Sequence, residues 1–279
     1  MTRSDATDPR PIPEPPVRPL PDPAPDRPDE LPEPVQIGLP DLGAALSAGW
    51  ADFRRAPAFG LLFAAFYVAG GLVLALVAFA VGRDWWLIPF ILGFPLIAPF
   101  AAVGLYEVSR RIEAQESLDW PGVLGVVFAQ KDRQVPSMAM VVLLLFMFWV
   151  FVAHTVFALF MGVSALTNIT SSPALLMEGR GLVMLLVGTL IGGMFAAVLF
   201  SFTVVGLPVL LDREVDFITA IITSVRAVLM NGPVMAVWAA MIAGFLFLGI
   251  LPYFLGLFVA LPILGHASWH VYRRLLPDD

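Results

Sequence analysis

Four side chains combine a titratable type with a place inside, or at the edge of, a long apolar run: Glu107, His154, His266 and His270. His266 and His270 are four residues apart, so a helix puts both imidazoles on one face, a spacing that can hold a metal with His154 as a third ligand. Depth argues against the trio. At about 1.5 Å per residue His154 stands ~27 Å beyond Pro136, whereas His266 is only ~10 Å from Arg273. Metal–nitrogen bonds of about 2 Å do not reach across that difference. No metal and no cofactor is therefore expected. The histidines are expected to sit at an interface or to bridge helices, with His154 the candidate for a proton relay or ligand contact, since lipid alone houses it poorly. Glu107 precedes Arg110 and Arg111 by three and four residues, which is ion-pair spacing on a helix; the sharper alternative is a gating carboxylate. Glu107 and His270 each stand three residues before an Arg-Arg pair, so they are expected to meet near one mouth of the protein.

Enzyme signatures are thin. The sequence holds no His-Glu-x-x-His, no phosphate-binding glycine loop and no Gly-x-Ser-x-Gly. Gly162-Val163-Ser164 faintly matches the Gly-x-Ser of an intramembrane serine protease, but its run places Ser164 at the opposite face from His266. Cysteine is absent, which excludes disulfides, thiolate chemistry and Cys-ligated zinc or iron–sulfur centres. The chain is expected not to be an enzyme.

What must position these side chains is a set of membrane helices. Ala227 to Tyr272 contains no Asp, Glu, Lys or Arg in 46 residues. As helix that is roughly 69 Å, about twice a bilayer's ~30 Å core, so it crosses twice, with Pro252 near the turn. The whole chain is 59% hydrophobic and 14% charged, against about a quarter charged in soluble domains. Its other charge-free runs complete a count of six spans: about 57–82, 86–107, 136–162, 181–207, 233–251 and 253–272. The fold class is an all-α integral membrane protein.

Residues 1–40 hold 13 of the 25 prolines, among alternating charges. Such a segment is expected to stay extended and disordered, a Pro-rich cytoplasmic tail without the apolar stretch of a secretory signal. It also supplies −4 of the formal −6 charge; no dense basic patch exists, so no nucleic-acid partner is expected. From Asp41 the pattern turns helical, with Leu42, Ala45, Leu46, Gly49, Trp50 and Phe53 on one face and Asp52, Arg54 and Arg55 on the other, as in an interfacial helix. Pro57 then opens a span. An Asp followed 16 or 17 residues later by Pro recurs at Asp119 and Pro136 and at Asp216 and Pro233, which suits an N-capping acid and a first-turn proline. Three parallel hairpin repeats follow, each preceded by a cytoplasmic amphipathic helix, within a membrane domain of residues 41–275. Small-residue ladders, Gly188-Gly192-Ala196 and Ala236-Ala240-Gly244, are expected to be seams where helix backbones touch.

With the N-terminus inside, inner segments carry ten Lys or Arg near the spans, while the outer loops carry only Arg83 and Arg180. Both termini are therefore expected in the cytoplasm.

Leu46-Ser-Ala-Gly-Trp-Ala-Asp-Phe-Arg-Arg-Ala-Pro57, Gly104-Leu-Tyr-Glu-Val-Ser-Arg-Arg111, Leu207-Pro-Val-Leu-Leu-Asp-Arg213, Ala220-Ile-Ile-Thr-Ser-Val-Arg226 and Leu261-Pro-Ile-Leu-Gly-His-Ala-Ser-Trp-His270 resemble the bacterial integral membrane family called domain of unknown function 2189, over about residues 41–275. The resemblance implies a bacterial inner-membrane protein of unassigned role and transfers no catalytic residue. Some relatives bear the name cytochrome c oxidase subunit I, which three histidines do not support. The expected function is a non-catalytic membrane scaffold or assembly factor, with a small-solute or lipid permease as the alternative and a haem or metal-binding membrane protein as a remote one. Its partners would be the lipid bilayer and a membrane protein or a second copy of the chain. A water-filled axial cavity lined by His154, Thr203, Glu107 and His270 would favour the permease.

Overall fold

The computed structural model describes residues 31–81, 99–162 and 179–277. Residues 1–30, positions 86–98 of the expected second span and the polar stretch holding Ser164 lie outside the described residues. Helices make up 84% of what is described, and no strand occurs there. The order is α1 (Leu39–Arg55), α2 (Pro57–Val81), α3 (Pro99–Glu113), α4 (Trp120–Ala129), a single 3-10 turn, α5 (Val135–Met161), α6 (Gly179–Thr203), α7 (Gly206–Asp212), α8 (Phe217–Met230), α9 (Gly232–Ile250) and α10 (Leu257–Leu275).

Three times a short helix leads at once into a long apolar one: α1 into α2, α4 into α5, α8 into α9. Proline stands in the first two positions of each long helix, where its missing amide costs no bond. Asp119 caps α4 through the Gly122 amide, and Asp216 caps α8 through the amides of Ile218 and Thr219. Asp41 departs from that pattern. It is the third residue of α1 and reaches back 2.8 Å to the Gly38 amide, because Pro40 already lets the helix begin at Leu39.

Four helical stretches are long and apolar enough to cross a bilayer: Pro57–Val77, Val135–Met161, Gly179–Asp212 and Gly232–Ile250. Their outward faces expose large apolar side chains such as Phe66, Leu144, Leu159 and Leu190, a surface that water disfavours and lipid accepts. The chain is an integral membrane protein. The third stretch breaks between α6 and α7, where Pro208 can offer no amide to Val204 and the Val205 amide turns to Ser224 Oγ at 3.2 Å.

At the centre lies α10, packed on α1, α2, α3 and α9. It starts four residues later than the expected span at 253, since Pro252 sits in a turn where Tyr253 and Phe254 take positive φ of 53° and 66°. Twelve of its residues are buried, so its histidines and serine face protein rather than lipid, and Pro262 is accommodated within it. The tightest crossing is with α1. A Cβ on Gly49 would lie 2.5 Å from the Ala267 amide nitrogen and 2.8 Å from the Ile263 carbonyl oxygen, so the two backbones touch there.

The small-residue ladders are not such seams. A Cβ added at Gly188 or Gly244 meets nothing within 4 Å, and one at Gly192 meets only the Trp149 indole nitrogen at 3.4 Å. Ala196 and Ala240 instead line a cavity of about 550 Å³ between α2, α3, α6, α9 and α10. Helix α6 packs on α5 and α8, which leaves its small face looking across open space toward α9.

Residues 31–38, expected to belong to a disordered tail, are ordered against the bundle. They run extended along it, with the Val35 amide on the Leu275 carbonyl. Buried Asn231 accepts from the Ile37 amide and donates to the Val35 carbonyl. Leu31 and Ile37 pack on the main core, and that apolar burial offsets the cost of ordering this segment. Asn231→Ala leaves two backbone groups without partners and should cost about 1–2 kcal/mol. Thermolysin, which cleaves before large apolar residues, should then cut at Gln36–Ile37 faster than in the unaltered protein; an unchanged rate would show that the amide holds nothing.

Candidate functional site

The apolar stripe of α1 is built from Leu42, Ala45 and Gly49, and the next position at that spacing is Asp52. Sequence reading put Asp52 on the polar side with Arg54 and Arg55; the structure buries it to 6% exposure against α10. There the Asp52 Oδ2 atom lies 2.8 Å from His270 Nε2 and 2.8 Å from Ser109 Oγ, and Ser109 Oγ lies 2.8 Å from His266 Nδ1. Three helices, α1, α3 and α10, thus meet on one chain of four side chains.

The proton arrangement follows from counting donors. A serine hydroxyl has one proton to give. If Ser109 donates to the Asp52 carboxylate, His266 Nδ1 must carry a proton and donate to Ser109, while His270 Nε2 donates to Asp52 from the other side. Every donor then points toward one ionised carboxylate. Burial works to raise the Asp52 carboxyl, but the hydrogen bonds from His270 and Ser109 outweigh it and hold the group below the usual carboxylate value. His266 is fully buried and its Nε2 has no partner of hydrogen-bond length.

A second cluster adjoins on the same helices. Glu107 is fully buried and takes both arginines, Arg110 Nε at 2.8 Å and Arg111 Nε at 2.6 Å. Arg110 continues to Glu116, and Trp269 Nε1 and Arg273 Nε both donate to Glu113. Tyr272 donates to Asp212 at 2.6 Å, which brings α7 to the same end of α10. The expected meeting of Glu107 with His270 does not occur: each spends its bonds elsewhere, Glu107 on the arginines of its own helix and His270 on Asp52. His154 is apart from both clusters. It lies on α5 with Nδ1 2.8 Å from the Val150 carbonyl one turn back.

As chemistry, the four-residue chain is a proton-bonded clamp. It contains the residue types of a nucleophilic triad in the wrong order, because serine stands between acid and imidazole instead of at the end of the relay. None of the four lines the cavity. That cavity also differs from the water-filled one that would favour a permease: of His154, Thr203, Glu107 and His270 only Thr203 is on its wall, which is apolar apart from hydroxyls. His266 and His270 are turned to Ser109 and Asp52, and among the described residues no group of three or more His, Asp or Glu is placed to hold a metal. Asp52 and Ser109 are the members that sequence reading missed. The signal was present in the three-four-three spacing of Leu42, Ala45, Gly49 and Asp52.

No curated protein and no solved structure matches this chain. A family model described as "Predicted integral membrane protein (DUF2189)" matches residues 87–212. That stretch includes the Gly104–Arg111 motif and Leu207–Asp212 of the next one, and ends before α8 and α10. Over residues 87–212 the chain is similar to this family of predicted integral membrane proteins.

Proposed function

We propose that the protein is a non-catalytic scaffold or assembly factor of a bacterial inner membrane, built as six spans in three parallel hairpin units with both chain ends in the cytoplasm. Ten of its Lys and Arg residues near the spans then lie inside and two outside. Helices α1, α4 and α8 are the cytoplasmic interfacial helices, and α10 is the sixth span, enclosed by the others. Its partners are the bilayer and a membrane protein or second copy. One observation carries the reading. The polar side chains gathered at the basic end are committed to one another, and the cavity above them offers a polar solute neither charge nor amide. Lipid permeation is the second reading, favoured by the sideways opening of that cavity.

Because the chain has no cysteine, single cysteines at Ala197 and Ala243 report the cavity without background. Protection of both from a membrane-impermeant maleimide, with labelling at Gly43 only after the inner face is opened, is the expected result. Labelling of the mid-helix sites in intact cells would refute the scaffold reading.

A further inference from the structure

The described part of the cavity wall runs along α6 from Gly193 to Val204 and along α9 from Ala239 to Ile250. At 1.5 Å per residue it is a slot about 17 Å long, parallel to the helices and hence to the lipid chains beside them. Its mouth is framed by Gly193, Ala197 and Ala243, all exposed and too small to close it.

What fills such a slot is decided by what can reach it and what it can satisfy. Water needs two to four polar partners. Among the described residues the wall supplies only the side-chain hydroxyls of Tyr67, Tyr106, Thr203 and Ser268, and Thr203 already spends its proton on the Leu199 carbonyl. Left empty, the walls would forgo their dispersion contacts. The mouth opens between helices whose outer faces meet hydrocarbon, so a flexible hydrocarbon chain is both at hand and narrow enough.

We propose that this slot binds one acyl chain of a membrane phospholipid, as a defined site rather than as bulk solvent. The site stands whether the bound lipid is structural or moved, and so is independent of the scaffold reading.

The test uses full-length protein in nanodiscs of phosphatidylethanolamine and phosphatidylglycerol, doped with a phosphatidylethanolamine bearing a diazirine at mid-chain. After irradiation, adducts are mapped by mass spectrometry. On this proposal they concentrate on Ala197, Ala240 and Thr203, roughly tenfold over outward-facing Leu144 and Leu190. Gly193→Leu, alone and with Ala240→Leu, fills the slot; a Cβ at Gly193 meets nothing within 4 Å. Wall adducts should then fall roughly tenfold, while those at Leu144 and Leu190 stay. Uniform labelling of the unaltered protein overturns the proposal whatever the variants do. Wall adducts indifferent to filling, or chain-to-chain links at the wall, overturn it equally.

Discussion

Gly49→Leu is expected to lower the unfolding midpoint of the purified protein by roughly 10 °C, from a loss of about 3 kcal/mol. The cause is local and rigid. The atoms that a new Cβ would strike are the Ala267 nitrogen and the Ile263 oxygen, both backbone, so no rotamer change relieves the overlap. Helices α1 and α10 must separate, and with them the Asp52–His270 bond. Gly49→Ala and Gly49→Ser should both destabilise as well, since Cβ alone makes the clash. Gly43, exposed on the same helix with nothing within 4 Å of a Cβ, supplies the control. There Gly→Ala should stabilise by up to about 1 kcal/mol through helix propensity. Equal responses at positions 43 and 49 would mean that the crossing is looser than described.

Asp52→Ala is expected to cost about 3 kcal/mol, because Ser109 and His270 lose their shared acceptor in a nearly buried place. The carboxyl is held below its ordinary value of about 3.9. Between the folded and unfolded values the unfolded chain binds more protons, so stability rises with pH across that window. The contribution of Asp52 is complete above about pH 4 and disappears as pH falls through the lower folded value. Asp52→Asn should therefore flatten the acid limb of the stability curve while sparing the volume of the side chain. A double-mutant cycle with His270→Ala should give strong coupling at neutral pH. An acid limb identical in Asp52→Asn and the unaltered protein would show that Asp52 does not carry the bond.

Much of this architecture was written locally, and local signals were read well. Pro57, Pro136 and Pro233 mark the heads of long helices, and Asp119 and Asp216 cap the short ones, because caps and first-turn prolines act within one turn of chain. The similarity to the family over residues 87–212 includes an equally local motif, Gly104–Arg111. The clamp was not legible in the same way. A carboxylate inside an apolar stripe makes sense only when its donors are known, and those of Asp52 come from 57 and 218 residues away. Pattern alone therefore assigned it to the polar face beside Arg54. The small-residue ladders misled for a related reason. Periodicity says that a face is smooth, and only the partner helix decides whether another backbone or a gap lies opposite. His266 and His270 were correctly placed on one face, but their separate acceptors on α3 and α1 could not be chosen from spacing.

The seat of α1 also sets an order of events during synthesis. That helix is made early, yet the groove that receives Gly49 and the imidazole that receives Asp52 are made more than two hundred residues later, on α10. Until then Asp52, on the apolar stripe of α1, has the Ser109 hydroxyl of α3 but lacks its His270 donor. Assembly thus closes backwards, with α10 sealing the much earlier α1, and a nascent chain halted before α10 leaves the Gly49 face of α1 uncovered.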